Sequence, residues 1–286
     1  MAFDLPMRAK KSFNERWNGG MGAVDGFDLT FINAIIQRDK PKQVVEIGCA
    51  SGMSTALMSL MLDSIGGGRI DSYDLAQNYY VDPSKKVGYL VDEIAQQSKT
   101  VVDIHRGHTA VDVGESWDPA RPIDFCFIDA SHQHPWPLID TLCVMPYVRP
   151  GGLLAQHDLM MYIDKTNKLA IGPKMLFDQV PQRDLVTFNS LVDPSKVEGL
   201  RTRKFAGNMF AIKRPPQLAR IGLALSRGFY LPWSVAQPIP EDVLIRVEAI
   251  LRRHYPKGVV QAFNDGIERY HGMSGLTLKH GYLPPS

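Results

Sequence analysis

Cysteine is scarce in this sequence. Only Cys49, Cys126 and Cys143 occur in 286 residues. None stands in the short paired spacing of a metal or redox site, and three thiols cannot all pair within one chain. A reducing, cytoplasmic setting is the simplest expectation. An excess of one charge is lacking as well: 32 Lys and Arg stand against 30 Asp and Glu, a formal net charge of +2. Without a concentrated basic patch, neither nucleic acid nor a membrane surface is an expected partner. No apolar run approaches the ~18 residues of a membrane span, and Met1 to Lys11 contain no apolar stretch of signal-peptide length. Internal repeats and low-complexity tracts are absent too. What remains is 44% hydrophobic and 22% charged, an ordinary globular composition long enough to bury a sizeable core.

Periodicity divides the chain into three parts: a helical segment over 1–40, a core over 41–214 and a helical extension over 215–286. In the first part Leu29, Ile32, Ile35 and Ile36 recur at helical spacing within Asp28 to Gln37, and Pro41 ends that helix. Gly19-Gly20-Met21-Gly22 before it is a flexible break. From Lys42 the pattern alternates. Strands are expected at Gln43–Ile47, Arg69–Leu75, Thr100–Ile104, Ile123–Ile128 and Leu153–Gln156, and helices at Gly52–Leu62, Val87–Gln97 and Pro137–Tyr147. Leu185–Phe188 and Met209–Lys213 add two strands, joined as a hairpin through a turn-rich stretch. This order predicts a Rossmann-like, doubly wound α/β fold with a mainly parallel seven-stranded sheet. After Pro215-Pro216 helices are expected at Leu218–Ser226, Glu241–His254 and Val259–Tyr270.

The segment Glu46-Ile47-Gly48-Cys49-Ala50-Ser51-Gly52-Met53-Ser54 joins the first strand to its helix. A glycine-rich turn there lets backbone amides approach a ligand at the carboxyl end of the sheet, and Asp74 ends the next strand, where an acid commonly holds ribose hydroxyls. A dinucleotide fingerprint needs glycine where Ala50 stands. The short-chain dehydrogenase variant needs it at Ser54, and no Tyr-x-x-x-Lys pair or Walker A loop occurs.

Glu46-x-Gly48-x-x-x-Gly52 followed by Asp74 resembles the first two motifs of class I S-adenosylmethionine methyltransferases. The resemblance runs over about residues 42–213, through Phe127-Ile128-Asp129-Ala130-Ser131-His132 and Val148-Arg149-Pro150-Gly151-Gly152-Leu153-Leu154. Within that class it is most similar to the small-molecule O-methyltransferases of catechol and macrocin type. The resemblance implies S-adenosylmethionine as cofactor, with Glu46, Gly48, Ala50, Ser51, Gly52, Ser54 and Asp129 around its amino-acid end. It places Asp74 on the ribose and residues near His108 beside the adenine.

Methyl transfer to a hydroxyl needs alignment and a base, or a metal that acidifies the acceptor. His132, three residues beyond Asp129, is the expected base, since imidazole titrates near neutrality; His134 is its rival. Asp129 and Asp158 end neighbouring strands and form a carboxylate rim suited to Mg²⁺. His157 stands where relatives have an acid, so Asp129, His157 and Asp158 make a candidate metal set that also admits Mn²⁺, Fe²⁺ or Zn²⁺, or no metal. Met160-Met161-Tyr162 could line an acceptor pocket. The expected function is O-methylation of a small molecule or sugar hydroxyl. The alternatives are a nicotinamide-dependent oxidoreductase and a non-catalytic cofactor-binding protein; nucleic-acid methylation lacks an Asn/Asp-Pro-Pro-Tyr motif. The acceptor, the oligomeric state and the role of the last helices stay open at this level.

Overall fold

The computed structural model describes residues 5–16, 24–164, 166–193 and 207–280, with side chains up to Gly272. Most of the Gly19-to-Gly26 segment and of the turn-rich stretch before Met209 lies outside these residues. Helix α1 (Met7–Arg16) and α2 (Gly26–Asp39) precede an alternating series. That series runs β1 (Gln43–Ile47), α3 (Met53–Asp63), β2 (Arg69–Asp74), α4 (Tyr89–Ile94), β3 (Val101–Arg106), α5 (Ala110–Ser116), β4 (Ile123–Ile128), α6 (Trp136–Val144) and β5 (Val148–Gln156). Then come α7 (Gly172–Gln179), β6 (Leu185–Thr187), α8 (Phe188–Leu191) and β7 (Phe210–Lys213), followed by α9 (Leu218–Leu225), α10 (Glu241–His254) and α11 (Lys257–His280). The seven strands lie in the order β3-β2-β1-β4-β5-β7-β6. β1 to β5 are parallel, while β7 is antiparallel to both β5 and β6.

The central strands are buried on both faces, which is why they read as apolar runs rather than alternating ones. Along β4, Phe125 and Phe127 enter one core while Cys126 and Ile128 enter the other. The first core takes α2 and α3 against Val44, Ile70 and Leu153. The second takes α5, α6 and the C-terminal helices, with Ile221, Leu251, Val259 and Phe263 packed in one cluster with Val45, Ile128 and Ile212. Among the described residues, no helix is long and apolar enough to cross a membrane.

The differences from the expected elements have local causes. Strand β5 starts at Val148 rather than Leu153, so Arg149-Pro150-Gly151-Gly152 lies within it; its register with β4 shifts between Ile123 and Phe125. Helix α4 starts only after Gly88, a left-handed residue (φ 78°). The stretch after β6 turns at once into α8 instead of a hairpin turn, although β6 and β7 do pair antiparallel. Helices α5 and α7 are absent from the sequence expectation. α5 has seven residues, yet Thr109 and Asp112 form a capping box at its start, a signal legible in the sequence.

Buried in α6, Asp140 is 4% exposed, and its Oδ2 has no hydrogen-bond partner. Burial pushes its carboxyl up to about 7. A group raised in this way stabilises the fold below its unfolded pKa, and that contribution is lost as pH rises through about 7. Asp140→Asn should therefore match the parent near pH 4. By pH 8 it should be more stable by about 2–4 kcal/mol, the raised pKa converted by linkage. Urea denaturation of both proteins at the two pH values checks this; equal stability at pH 8 contradicts it.

Candidate functional site

The strand order reverses between β2-β1 and β4-β5, and ligands of open α/β sheets bind outside the carboxyl ends of the strands at such a point. The turn after β1 lies there. Gly48 has φ 95°, and a Cβ on it would meet the Asp129 carbonyl oxygen at 2.2 Å. Gly52 has φ 84°, with Gly88 Cα 2.8 Å from where its Cβ would be. Side chains at either position would push the turn off β4 or off α4, so these glycines set how closely it packs. Ala50 is itself left-handed at φ 48°.

Two carboxylates brace the turn. Asp74 Oδ2 accepts from the Cys49 and Ala50 amides at 3.0 and 2.8 Å, and Oδ1 from the Ala76 amide at 2.8 Å. The backbone amides of Gly107 and His108 donate to the Asp74 carbonyl, while the His108 ring lies exposed, 3.6 Å from Asp112. Glu46 is fully buried and accepts from the hydroxyls of Ser54 (2.6 Å), Ser72 (2.5 Å) and Thr55. Burial pushes its carboxyl up to about 7. Its side chain is spent beneath the turn. Cys49 is buried as well, its thiol pushed up to about 12 by burial, which leaves it a packing residue rather than a nucleophile.

Above the turn is a cavity of about 310 Å³. Gly48, Ala50, Ser51 and Ser54 form one side, and Asp129, His132 and Asp158 another. Tyr80 and Met161 border it as well. Glu46, Gly52, Asp74, His108 and His157 do not line it.

The three polar residues come from adjacent strand ends. The Asp129 amide donates to Ile47 O at 2.8 Å and that of His157 to Ile128 O at 3.1 Å, continuing the parallel ladder past β4 and β5. Asp158 then adopts φ 56°, a left-handed conformation uncommon outside glycine. Asn208 Nδ2 donates to its Oδ1 at 2.7 Å. His132 Nε2 lies 3.3 Å from Asp129 Oδ1 and 3.1 Å from Asp158 Oδ2. Burial would lower the His132 pKa, but hydrogen bonds to the two carboxylates and their charges outweigh it and hold the ring up to about 9. Against burial, the neighbouring imidazoles hold Asp158 well below the carboxylate range.

One ligand atom each from Asp129, His132 and Asp158 lies within 4.8 Å of the others. Two carboxylates and an imidazole on one cavity suit Mg²⁺, Mn²⁺, Fe²⁺ or Zn²⁺. This changes the expected set. His132 stands where His157 was expected, because His157 turns inward: its Nδ1 is 3.1 Å from Asp129 Oδ1 and its Nε2 faces Asp28. His134 is no rival to His132. It is 1% exposed, its Nε2 bonds the Gly228 carbonyl at 2.9 Å, and burial pulls its pKa down to about 4. Sequence reasoning missed Asp28, Tyr80 and Asn208, which come from segments with no motif of their own.

Residues 45–159 match the family profile described as a methyltransferase domain. No curated protein matches the chain. Among solved structures, the chain is similar to an O-methyltransferase from Bacillus cereus in complex with S-adenosylhomocysteine. The two are 17% identical with a TM-score of 0.48, over 73% of this chain and 91% of that one. The O-methyltransferase TomG from Streptomyces achromogenes, involved in tomaymycin synthesis and in complex with S-adenosylmethionine, is 15% identical. Its TM-score is 0.47, over 74% and 92%. MycE from the mycinamycin biosynthetic pathway, with Mg and S-adenosylhomocysteine, is 17% identical with a TM-score of 0.43, over 75% of this chain and 56% of that one. A mostly parallel seven-stranded sheet with a glycine turn at its reversal point thus carries, over residues 45–159, the match to a methyltransferase domain.

Proposed function

We propose that this domain transfers the methyl group of S-adenosylmethionine to a hydroxyl oxygen of a small molecule, assisted by a divalent cation, Mg²⁺ or Mn²⁺. The observation that carries this reading is one cavity bordered by both the glycine turn and the Asp129–His132–Asp158 cluster. The lining fits a sulfonium better than a pyrophosphate. Two carboxylates and the Tyr80 ring attract a cation, whereas the dianionic bridge of a nicotinamide dinucleotide would face the same carboxylates. The cofactor supplies an electrophilic methyl group, whose bond to sulfur breaks as the bond to the acceptor oxygen forms.

Asp129, His132 and Asp158 would hold the cation, which when bound lowers the pKa of an adjacent hydroxyl. His132 Nε2 points at the two carboxylates; in this reading it would complete their ligand set. Asp74 has a second lone pair on Oδ1 for a ribose hydroxyl, and Ser51 and Ser54 border the amino-acid end. The acceptor is a small molecule, a phenol or sugar among the candidates, rather than nucleic acid.

Calorimetric titration with S-adenosylmethionine, S-adenosylhomocysteine and NAD tests the cofactor part. The first two should bind in the micromolar range, typical of cofactor use, and NAD should not compete. Asp74→Ala should weaken binding by about 1.5–3 kcal/mol, the size of a lost charge-assisted hydrogen bond. Tight NAD binding with no response to S-adenosylmethionine would sink the reading.

A further inference from the structure

Asp28 sits in the first turn of α2, 129 residues before His157, and is 4% exposed. Its backbone amide donates to Asp25 Oδ1 at 3.0 Å, and its Oδ2 accepts from the Asp25 amide at 3.1 Å, closing a capping box. That duty explains a carboxylate here but not its burial, because an exposed side chain caps equally well and a buried charge costs several kcal/mol unless paired. The pairing partner is the imidazole of His157. Its Nε2 is 3.1 Å from the same Oδ2, and its Nδ1 is 3.1 Å from Asp129 Oδ1 and 3.5 Å from Asp158 Oδ2. The Phe127 ring packs edge-on against it, with centroids 6.2 Å apart. One buried ring thus spans a carboxylate of α2 and a carboxylate on the cavity wall.

We propose that Asp28 is a positioning residue, which clamps the His157 imidazole and through it fixes the Asp129 carboxylate in the orientation that a divalent cation requires. The inference rests on reading Asp129 as a cation-facing group. Asp129 Oδ1 is the shared atom: it faces His157 Nδ1 on the protein side and His132 Nε2 on the cavity side. Release of the imidazole from Asp28 frees its ring to swing and Asp129 to rotate with it. Carboxylates and imidazoles outside the ligand set act in this way at many metal sites, where their loss weakens binding about 10- to 100-fold. Asp28 makes no contact with the cavity, so its effect travels only through the ring.

Two variants, Asp28→Asn and His157→Gln, test this against Mn²⁺ alone, followed by the electron paramagnetic resonance of the free ion. Asn keeps an oxygen for the Asp25 amide but removes the charge facing the imidazole. Each variant should bind Mn²⁺ about 10- to 100-fold more weakly, while S-adenosylhomocysteine affinity by calorimetry stays at the parent value. The double variant should be no weaker than the worse single one, since both act on the same link, Asn by removing its charge and Gln by removing its ring. Parent-like Mn²⁺ affinity in a folded Asp28→Asn protein overturns the proposal and leaves the pair as a fold-stabilising contact. Nitrogen-15 spectra of the histidine-labelled parent give a second reading if that variant does not fold: a His157 Nε2 with no carboxylate hydrogen bond also overturns it. A parent that takes up no Mn²⁺ overturns the cation reading itself, an outcome distinct from a parent that binds while both variants bind equally well.

Discussion

Alanine in place of His132 should lower kcat by roughly 10²–10⁴-fold, the range for loss of a group that handles the acceptor proton, with S-adenosylhomocysteine affinity nearly unchanged. The expectation follows from geometry. Among the described residues His132 is the one imidazole that borders the cavity, and its Nε2 lies within 3.3 Å of both rim carboxylates. Removal leaves Asp129 and Asp158 side by side on that wall, with His157 near both and Asn208 on Asp158. Their repulsion then adds to the loss of the imidazole. Any hydroxyl acceptor that the protein turns over serves for the assay. His134→Ala is the control, because its ring is buried against the Gly228 carbonyl and away from the cavity wall. A crippled His134 variant beside an active His132 variant would reverse the assignment. Mn²⁺ affinity separates the two duties open to His132: a ligand weakens it when lost, whereas a pure general base leaves it as it was.

Removal of divalent cations should cut turnover by about two to three orders of magnitude, the several kcal/mol that a Lewis acid contributes at a developing alkoxide. Dialysis against a chelator followed by add-back reads this directly. Mg²⁺ and Mn²⁺ should restore the rate in the parent, with Mn²⁺ more effective because one of the three donors is nitrogen. Asp158→Asn should need a higher concentration of either ion. It should not unfold the chain, since Asn also tolerates the left-handed backbone that Asp158 adopts at φ 56°. The amide also keeps an oxygen for Asn208. Full turnover after verified metal removal would make Asp129 and Asp158 cofactor-facing or acceptor-facing groups instead.

The parts of this site written in consecutive residues were legible in the sequence. Gly48, Ala50, Ser51 and Ser54 border the cavity because a strand, a turn and a helix follow one another there, and local spacing encodes that. Asp129, His132 and Asp158 were legible for a related reason: strand ends in a parallel sheet converge on one rim whatever lies between them. The choice between His132 and His157 was not. It depends on which way each ring turns, and a carboxylate from α2, far away in sequence, decides it for His157. Glu46 reads as part of the cofactor motif but is satisfied from within by three hydroxyls. Two of them, Ser54 and Thr55, come from the first turn of α3, while Ser72 becomes a neighbour only once β2 has paired with β1.

The segment that matches a methyltransferase domain ends at residue 159, but the second core does not end with it. Ile221, Leu225, Val247, Leu251, Tyr255 and Phe263 share that core with Val45, Cys126 and Leu154 of the sheet, and the Tyr255 hydroxyl donates to the Leu142 carbonyl at 2.8 Å. For anyone grafting this catalytic unit onto another protein, the portable piece is therefore set by the core and not by the motif. A fusion joint between β5 and α9 would cut through shared packing, whereas α11 is exposed at Glu268, Arg269, His271 and Gly272, beyond the buried residues that enter that core.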